Sequence, residues 1–197
     1  MRSYSTHNLN AIWFLIIANV LIFIVELITG GGIAWKSPVI DFLGLPPASF
    51  QHQPWTIITN LFVHGSLTHI LFNMISLYFL GSFLFRLIGE RKFLITYFLG
   101  GIAGNILFIL LASPFSIGIG ASGAIFALGG ALAIMAPKIP VFIFFIPVPV
   151  PLWAAMVLFL IISFLFRGIA WQAHLGGLIL GLVAGCFFKK KRQAFYI

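Results

Sequence analysis

Charge is almost absent from the middle of this sequence. No Asp, Glu, Lys or Arg occurs from Phe93 to Pro137, and none from Ile139 to Phe166. Apolar residues make up 61% of the chain and charged residues 7%, far from the balance of a water-soluble domain. The expectation is an all-α polytopic membrane protein, a single compact bundle over residues 1–197 with no room for a separate soluble domain.

Helix length and apolar runs give six expected spans: 11–28, 67–85, 93–112, 122–136, 152–166 and 172–188. A short polar tail, Met1 to Asn10, precedes them. The one charge of the first span, Glu26, lies at its far end, where a carboxylate reaches the interface; an interfacial role is expected for it rather than a proton relay. Thr29 to Ser66 is too apolar for a solvated loop and too broken by Gly30-Gly31-Gly32, Pro46-Pro47 and Pro54 for a span. It reads as a loop half-embedded in the interface. Arg86 to Lys92 reads as a tight charged turn. Prolines 140, 147, 149 and 151 cannot all sit within one helix, so the fifth span is expected to begin near Leu152, with the segment before it along the inner interface.

The connectors orient the bundle. With both termini cytoplasmic, nine of the eleven Lys/Arg fall inside: Arg2, Arg86, Arg91, Lys92, Lys138 and the cluster Lys189-Lys190-Lys191-Arg192. Only Lys36 and Arg167 fall outside. The same distribution argues against nucleic acid as a partner, because the net charge of +8 forms no basic face interleaved with aromatics. The single cysteine, Cys186, excludes an internal disulfide and any multi-cysteine metal site, and neither a metal nor a cofactor is expected. No cleavable signal peptide is evident.

Within this apolar chain, His64, His69, Asn73, Ser122 and His174 are polar groups in or beside spans, where unpaired imidazoles and amides are costly. Each alone is explained by interhelical hydrogen bonding. The orientation puts His69, Asn73, Ser122 and His174 at a common depth toward the outer face. His69 and Asn73 are four residues apart and share one helix face. Ala173, Gly177, Gly181 and Gly185 form a small-residue ridge on the sixth span. It matches Gly123, Ala127, Gly130 and Ala131 on the fourth, and docking the two brings His174 beside Ser122.

Gly120-Ala121-Ser122-Gly123 sets a serine at the start of an apolar helix after a glycine-marked turn. By itself this is a packing motif first, since small residues let helices approach and helix serines commonly bond to their own backbone. The fourth span adds a second consideration. Fifteen residues reach only about 22 Å of a hydrocarbon core of about 30 Å, so Ser122 would lie below the outer surface at the floor of a wet cavity. A serine nucleophile there needs a base, and His174 is the candidate. Asp41, the one aspartate, lies in the first loop, so the pair would be a dyad without an orienting acid. Phe126, one turn on, is placed to stack on the imidazole. The Ser122 backbone N–H, the Asn73 amide and the His69 ring are candidate oxyanion donors.

At these residues the sequence resembles the rhomboid family of intramembrane serine proteases, in its minimal six-helix prokaryotic form. Gly120-Ala121-Ser122-Gly123 matches the family's nucleophile motif, and Ala173-His174-Leu175-Gly176-Gly177 its base motif. His64-Gly65-Ser66-Leu67-Thr68-His69-Ile70-Leu71-Phe72-Asn73 matches the second-helix segment. Gly89 to Tyr97 and Trp171 also fit, and the likeness runs from about Pro54 to Gly185. The resemblance implies Ser122 and His174 as catalytic residues, Asn73, His69 and the Ser122 N–H as oxyanion donors, and Gly120, Phe126 and Gly177 in support. It also implies cleavage of single-pass transmembrane substrates within the bilayer of a cell (inner or plasma) membrane, near its extracytoplasmic face, with lateral entry between the second and fifth helices. Two positions depart from the family pattern: Thr56 stands where arginine is usual after Trp55, and Phe85 where glutamate is common. Both bear on loop anchoring rather than chemistry.

Other intramembrane proteases fit poorly, for the chain has no His-Glu-x-x-His helix and only one aspartate. The alternative from another class is a non-catalytic rhomboid-like binder of membrane proteins. Such a relative would be expected to lack the serine or the histidine, and both are present.

Overall fold

The computed structural model describes residues 9–143 and 146–194; the N-terminal tail with Arg2 and the basic side chains beyond Lys189 lie outside them. The first helix, α1 (Asn10–Thr29), is followed by a loop with two short helices, α2 (Pro38–Leu43) and α3 (Thr56–Thr59). Helices α4 (Leu67–Ser76) and α5 (Ser82–Ile88) are continuous through a π-helical turn, Leu77–Gly81. Then come α6 (Glu90–Leu111), α7 (Ser122–Met135), a two-stranded hairpin of β1 (Pro140–Val141) and β2 (Val150–Pro151), α8 (Leu152–Leu165) and α9 (Trp171–Ala194). Among the described residues, four helical stretches are long and apolar enough to cross a bilayer: Asn10–Thr29, Leu67–Ile88, Glu90–Leu111 and Trp171–Lys189. Helices α7 and α8 are as apolar but only 14 residues each.

Local chemistry explains the element ends. The Ser37 and Ser66 hydroxyls accept the N–H of Val39 and His69 and so cap α2 and α4. The charged stretch 86–92, expected as a turn, is almost entirely helical; the break shrinks to Gly89, whose φ of 81° reverses the chain. Arg86 in the last turn of α5 and Glu90 in the first turn of α6 both suit the helix dipoles, so these charges prolong helices instead of ending them. Between α7 and α8 the prolines stop helix formation, and Pro140 pairs with Pro151 and Val141 with Val150. The Leu152 N–H then bonds to Ile139 O at 2.9 Å, closing the hairpin onto the start of α8.

The core is centred on α7, in which every residue from Gly123 to Leu132 is buried. The small-residue ridges meet: a Cβ added at Gly177 would collide with Gly123 O, and one at Gly181 with Ala127 O. Helix α6 closes the other side with the same device, since Gly104 lies against Ala173 O. Phe14, Ile28, Leu165 and Val183 point outward, as suits a hydrocarbon solvent.

Two expectations about anchoring change. Glu26 does not turn outward to the surroundings of the bundle. It is fully buried, because the segment before α4 folds over the end of α1, and its two carboxylate oxygens accept the His64 N–H, each at 3.2 Å. At the two departures from the family pattern, packing and local bonds take over. The Thr56 hydroxyl donates to Gln53 O at 2.6 Å and Trp55 Nε1–H to Phe42 O at 2.9 Å, while the buried Phe85 ring lies 5.8 Å from that of Phe93.

Because the atom facing Gly177 is backbone, Gly177→Val has no flexible neighbour to displace. Its expected cost exceeds the ~1–3 kcal/mol usual for overpacking, read as a lowered unfolding midpoint in detergent. Val183→Ala, on the outward face, is expected to stay within about 0.5 kcal/mol of wild type.

Candidate active site

The site is assembled at the end of the bundle where α7 begins. The turn before α7 is tied down from two sides. Leu45 and Gly118 exchange both backbone hydrogen bonds, at 2.9 and 2.8 Å, and the Gly120 N–H donates to Asn60 O at 2.9 Å. Gly120 has a φ of 109°, which L-residues avoid, and an added Cβ would lie 2.6 Å from His69 Nε2. Glycine here serves both the turn and the approach of the His69 ring.

Ser122 is the first residue of α7, so its N–H has no acceptor within the helix and points out of the positive helix end. Its Oγ is 2.8 Å from His174 Nε2, a contact between residues 52 apart in sequence that spans α7 and α9. His174 is buried in the first turns of α9, and its ring stacks on Phe126 with centroids 4.3 Å apart and planes 16° apart. No described residue bonds to His174 Nδ1. The ring is thus oriented by the Phe126 face and by the hydroxyl of Ser122, not by a carboxylate. Gly177, one turn after His174, permits this by letting α9 rest on Gly123.

Facing the turn from the other side is α4. Asn73 Nδ2 donates to His69 O at 2.8 Å, as the i, i+4 spacing requires, and lies 3.9 Å from where a Gly120 Cβ would sit. The second N–H of that amide remains for a ligand. The His69 ring packs edge-on against His64, with centroids 4.9 Å apart. His64 lies outside the spans. Burial, and next the His69 ring beside it, lower its imidazole to about 3, so it is neutral at physiological pH. The structure therefore brings Ser122, His174, Phe126, Gly120, His69, Asn73 and Gly177 around one turn.

Sequence reasoning passed over three residues that hold this arrangement. Asn60 and Asn105 exchange side-chain hydrogen bonds at 3.0 and 2.7 Å, and Asn105 also donates to Ile57 O at 2.8 Å. An asparagine inside an apolar helix was the available signal for Asn105. Leu45 carried none, because its contribution is backbone pairing. Among the described residues, no group of His, Cys, Asp and Glu is arranged to hold a metal ion.

A nucleophile-capable serine beside a buried imidazole, with amide and N–H donors converging opposite, is a geometry suited to acyl transfer. The comparisons with known proteins agree in kind. Residues 51–191 match the family model described as the Rhomboid domain. Rhomboid-like protease 3 of Toxoplasma gondii is 28% identical over 92% of this chain and 70% of its own length. The Rhomboid protease GlpG of Yersinia pseudotuberculosis is 33% identical over 83% of this chain and 57% of its own. The putative rhomboid protease YdcA of Bacillus subtilis is 34% identical over 52% of this chain and 50% of its own. The chain thus spans between half and 70% of the length of these relatives. Since the matched domain covers well over half of its residues, this chain belongs to the rhomboid family.

Proposed function

We propose that this protein is an intramembrane serine endopeptidase that cleaves single-pass transmembrane proteins. The observation that carries the reading is the 2.8 Å contact between Ser122 Oγ and His174 Nε2. His174 accepts the Ser122 hydroxyl proton as Oγ attacks a substrate carbonyl carbon. The carbonyl π electrons move to oxygen, and the resulting oxyanion is met by the Ser122 N–H, the Asn73 amide and the His69 ring. His174 then gives its proton to the departing amide nitrogen, the C–N bond breaks, and an acyl ester remains on Ser122. A water deprotonated by His174 hydrolyses that ester and restores the pair. Phe126 takes the place of an acid in holding the imidazole.

The membrane arrangement follows the same reasoning. Six crossings are formed by α1, α4 with α5, α6, α7, α8 and α9, with both termini cytoplasmic by the distribution of Lys and Arg. At about 1.5 Å per residue, the 14 residues of α7 reach about 21 Å, short of the ~30 Å hydrocarbon core. Ser122 then lies below the extracytoplasmic surface of a cell membrane, at a depth reached by water through the bundle and by substrate from the lipid. A helical substrate hides its carbonyls, so segments that unwind readily, rich in glycine and other weak helix formers, are the preferred class. Entry between the α4–α5 span and α8 is consistent with the weak packing between those two elements among the described residues.

Purified protein in detergent is expected to cleave a model transmembrane substrate, and Ser122→Ala and His174→Ala to abolish cleavage. Equal cleavage by wild type and Ser122→Ala contradicts the reading, and a wild type that binds but never cleaves favours the non-catalytic binder. Asn73→Ala removes one of three donors. Its turnover should fall, by up to the ~10²–10³-fold seen for single oxyanion donors, without being abolished. Loss of folding instead, judged by the thermal unfolding midpoint, makes Asn73 a structural residue.

A further inference from the structure

The proposed reaction leaves the buried acid of α1 unused. Glu26 sits on the inward face of α1 with no exposed surface, and both its carboxylate oxygens are 3.2 Å from the His64 backbone nitrogen. Acids inside membrane helices are expensive and are retained where they do something. Among the described residues this one bonds neither to a cation nor to a side chain of the site, but to the main chain of the segment joining α3 to α4.

That segment is a strap. At one end Asn60 is clamped to Asn105 of α6, and its carbonyl receives the Gly120 N–H at 2.9 Å. At the other end Ser66 caps α4 through the His69 N–H. Between them Leu61 and Val63 are buried, and the His64 ring rests on the ring of His69. Glu26 is the side chain that ties the backbone of 61–65 to α1. A physical path therefore runs from the α1 carboxylate to the His64 N–H, through the edge-on contact of the two imidazoles, to His69 Nε2 against Gly120. It leads to the oxyanion side of the site and does not touch the Ser122–His174 contact.

We infer that Glu26 is a positioning residue, which holds the His64 N–H and thereby sets where His69 and Asn73 stand relative to Ser122. This rests on the proposed serine-protease reading. A carboxylate suits the task because two oxygens share a single donor, so the bond survives rotation about the last side-chain torsion. Glutamine keeps one such acceptor. Leucine fills the volume and keeps none. Aspartate keeps the carboxyl group but retracts it by one methylene from a donor that the strap holds in place.

The test compares wild type, Glu26→Gln, Glu26→Leu and Glu26→Asp on a model transmembrane substrate. Hydrogen–deuterium exchange of peptides covering 60–66 is measured in parallel, and Ser122→Ala is the background. The expected result is a kcat about 10- to 100-fold lower for Leu and Asp, the scale of a misplaced catalytic group. KM stays near the wild-type value, and Gln restores most of the turnover. Exchange at 60–66 rises in Leu and Asp but not in Gln. A merely structural Glu26 predicts instead that turnover per folded molecule is unchanged. Wild-type kcat in Leu or Asp overturns the inference, as does a loss confined to KM or a loss that Gln does not relieve. A wild type no more active than Ser122→Ala overturns the protease reading, and the inference with it.

Discussion

Everything near the site depends on how closely α7 and α9 approach. Membrane helices gain nothing from hiding apolar surface from one another, because the lipid is equally apolar; they associate through close packing and hydrogen bonds. Here glycines at 177 and 181 set one backbone against the carbonyls of Gly123 and Ala127 on the other. That register, repeated at four-residue intervals, puts His174 one turn from the tightest contact and level with Ser122. The serine–imidazole bond is therefore a consequence of helix packing, and a single added methyl at Gly177 acts on both.

The other half of the site has a different mechanical origin. His69 and Asn73 ride on α4, which meets the Ser122 turn through the strap from Asn60 to Ser66, through His69 and Asn73 beside Gly120, and through a small packing contact with α7. Polar groups do the holding there: an asparagine pair joining the strap to α6, a backbone bond to Gly120, and the Glu26 carboxylate from α1. An unpaired polar group in such surroundings costs far more than in water. The arrangement is accordingly discrete, either made or broken. In the proposed reaction the packed half supplies nucleophile and base, and the hydrogen-bonded half receives the developing charge.

This division explains what was legible in the sequence. Long apolar runs and four-residue glycine spacing are local patterns, so the helices and the α7–α9 ridges could be read directly, and with them the meeting of Ser122 with His174. The strap could not. Glu26 near a helix end looks interfacial when nothing in the sequence says that the chain returns over it thirty-eight residues later. Asn105 stands out inside an apolar helix, but its partner Asn60 is unremarkable until a fold pairs them. The charged stretch 86–92 misled for a related reason: the same residues favour a turn in isolation and favour helix ends when a lone glycine supplies the reversal. The prolines of 140–151 announced a break, but the pairing of Pro140 with Pro151 is a non-local fact.

The central claim is that Ser122 is made nucleophilic by His174, which close packing places beside it. A fluorophosphonate probe tests this without any substrate, since it reacts only with an activated serine and leaves a covalent phosphonyl ester. Peptide mass mapping after labelling should find the adduct on Ser122 in the wild-type protein and none in His174→Ala. A wild-type protein that stays unlabelled, or a Ser122 adduct that forms equally fast without the imidazole, would contradict the account.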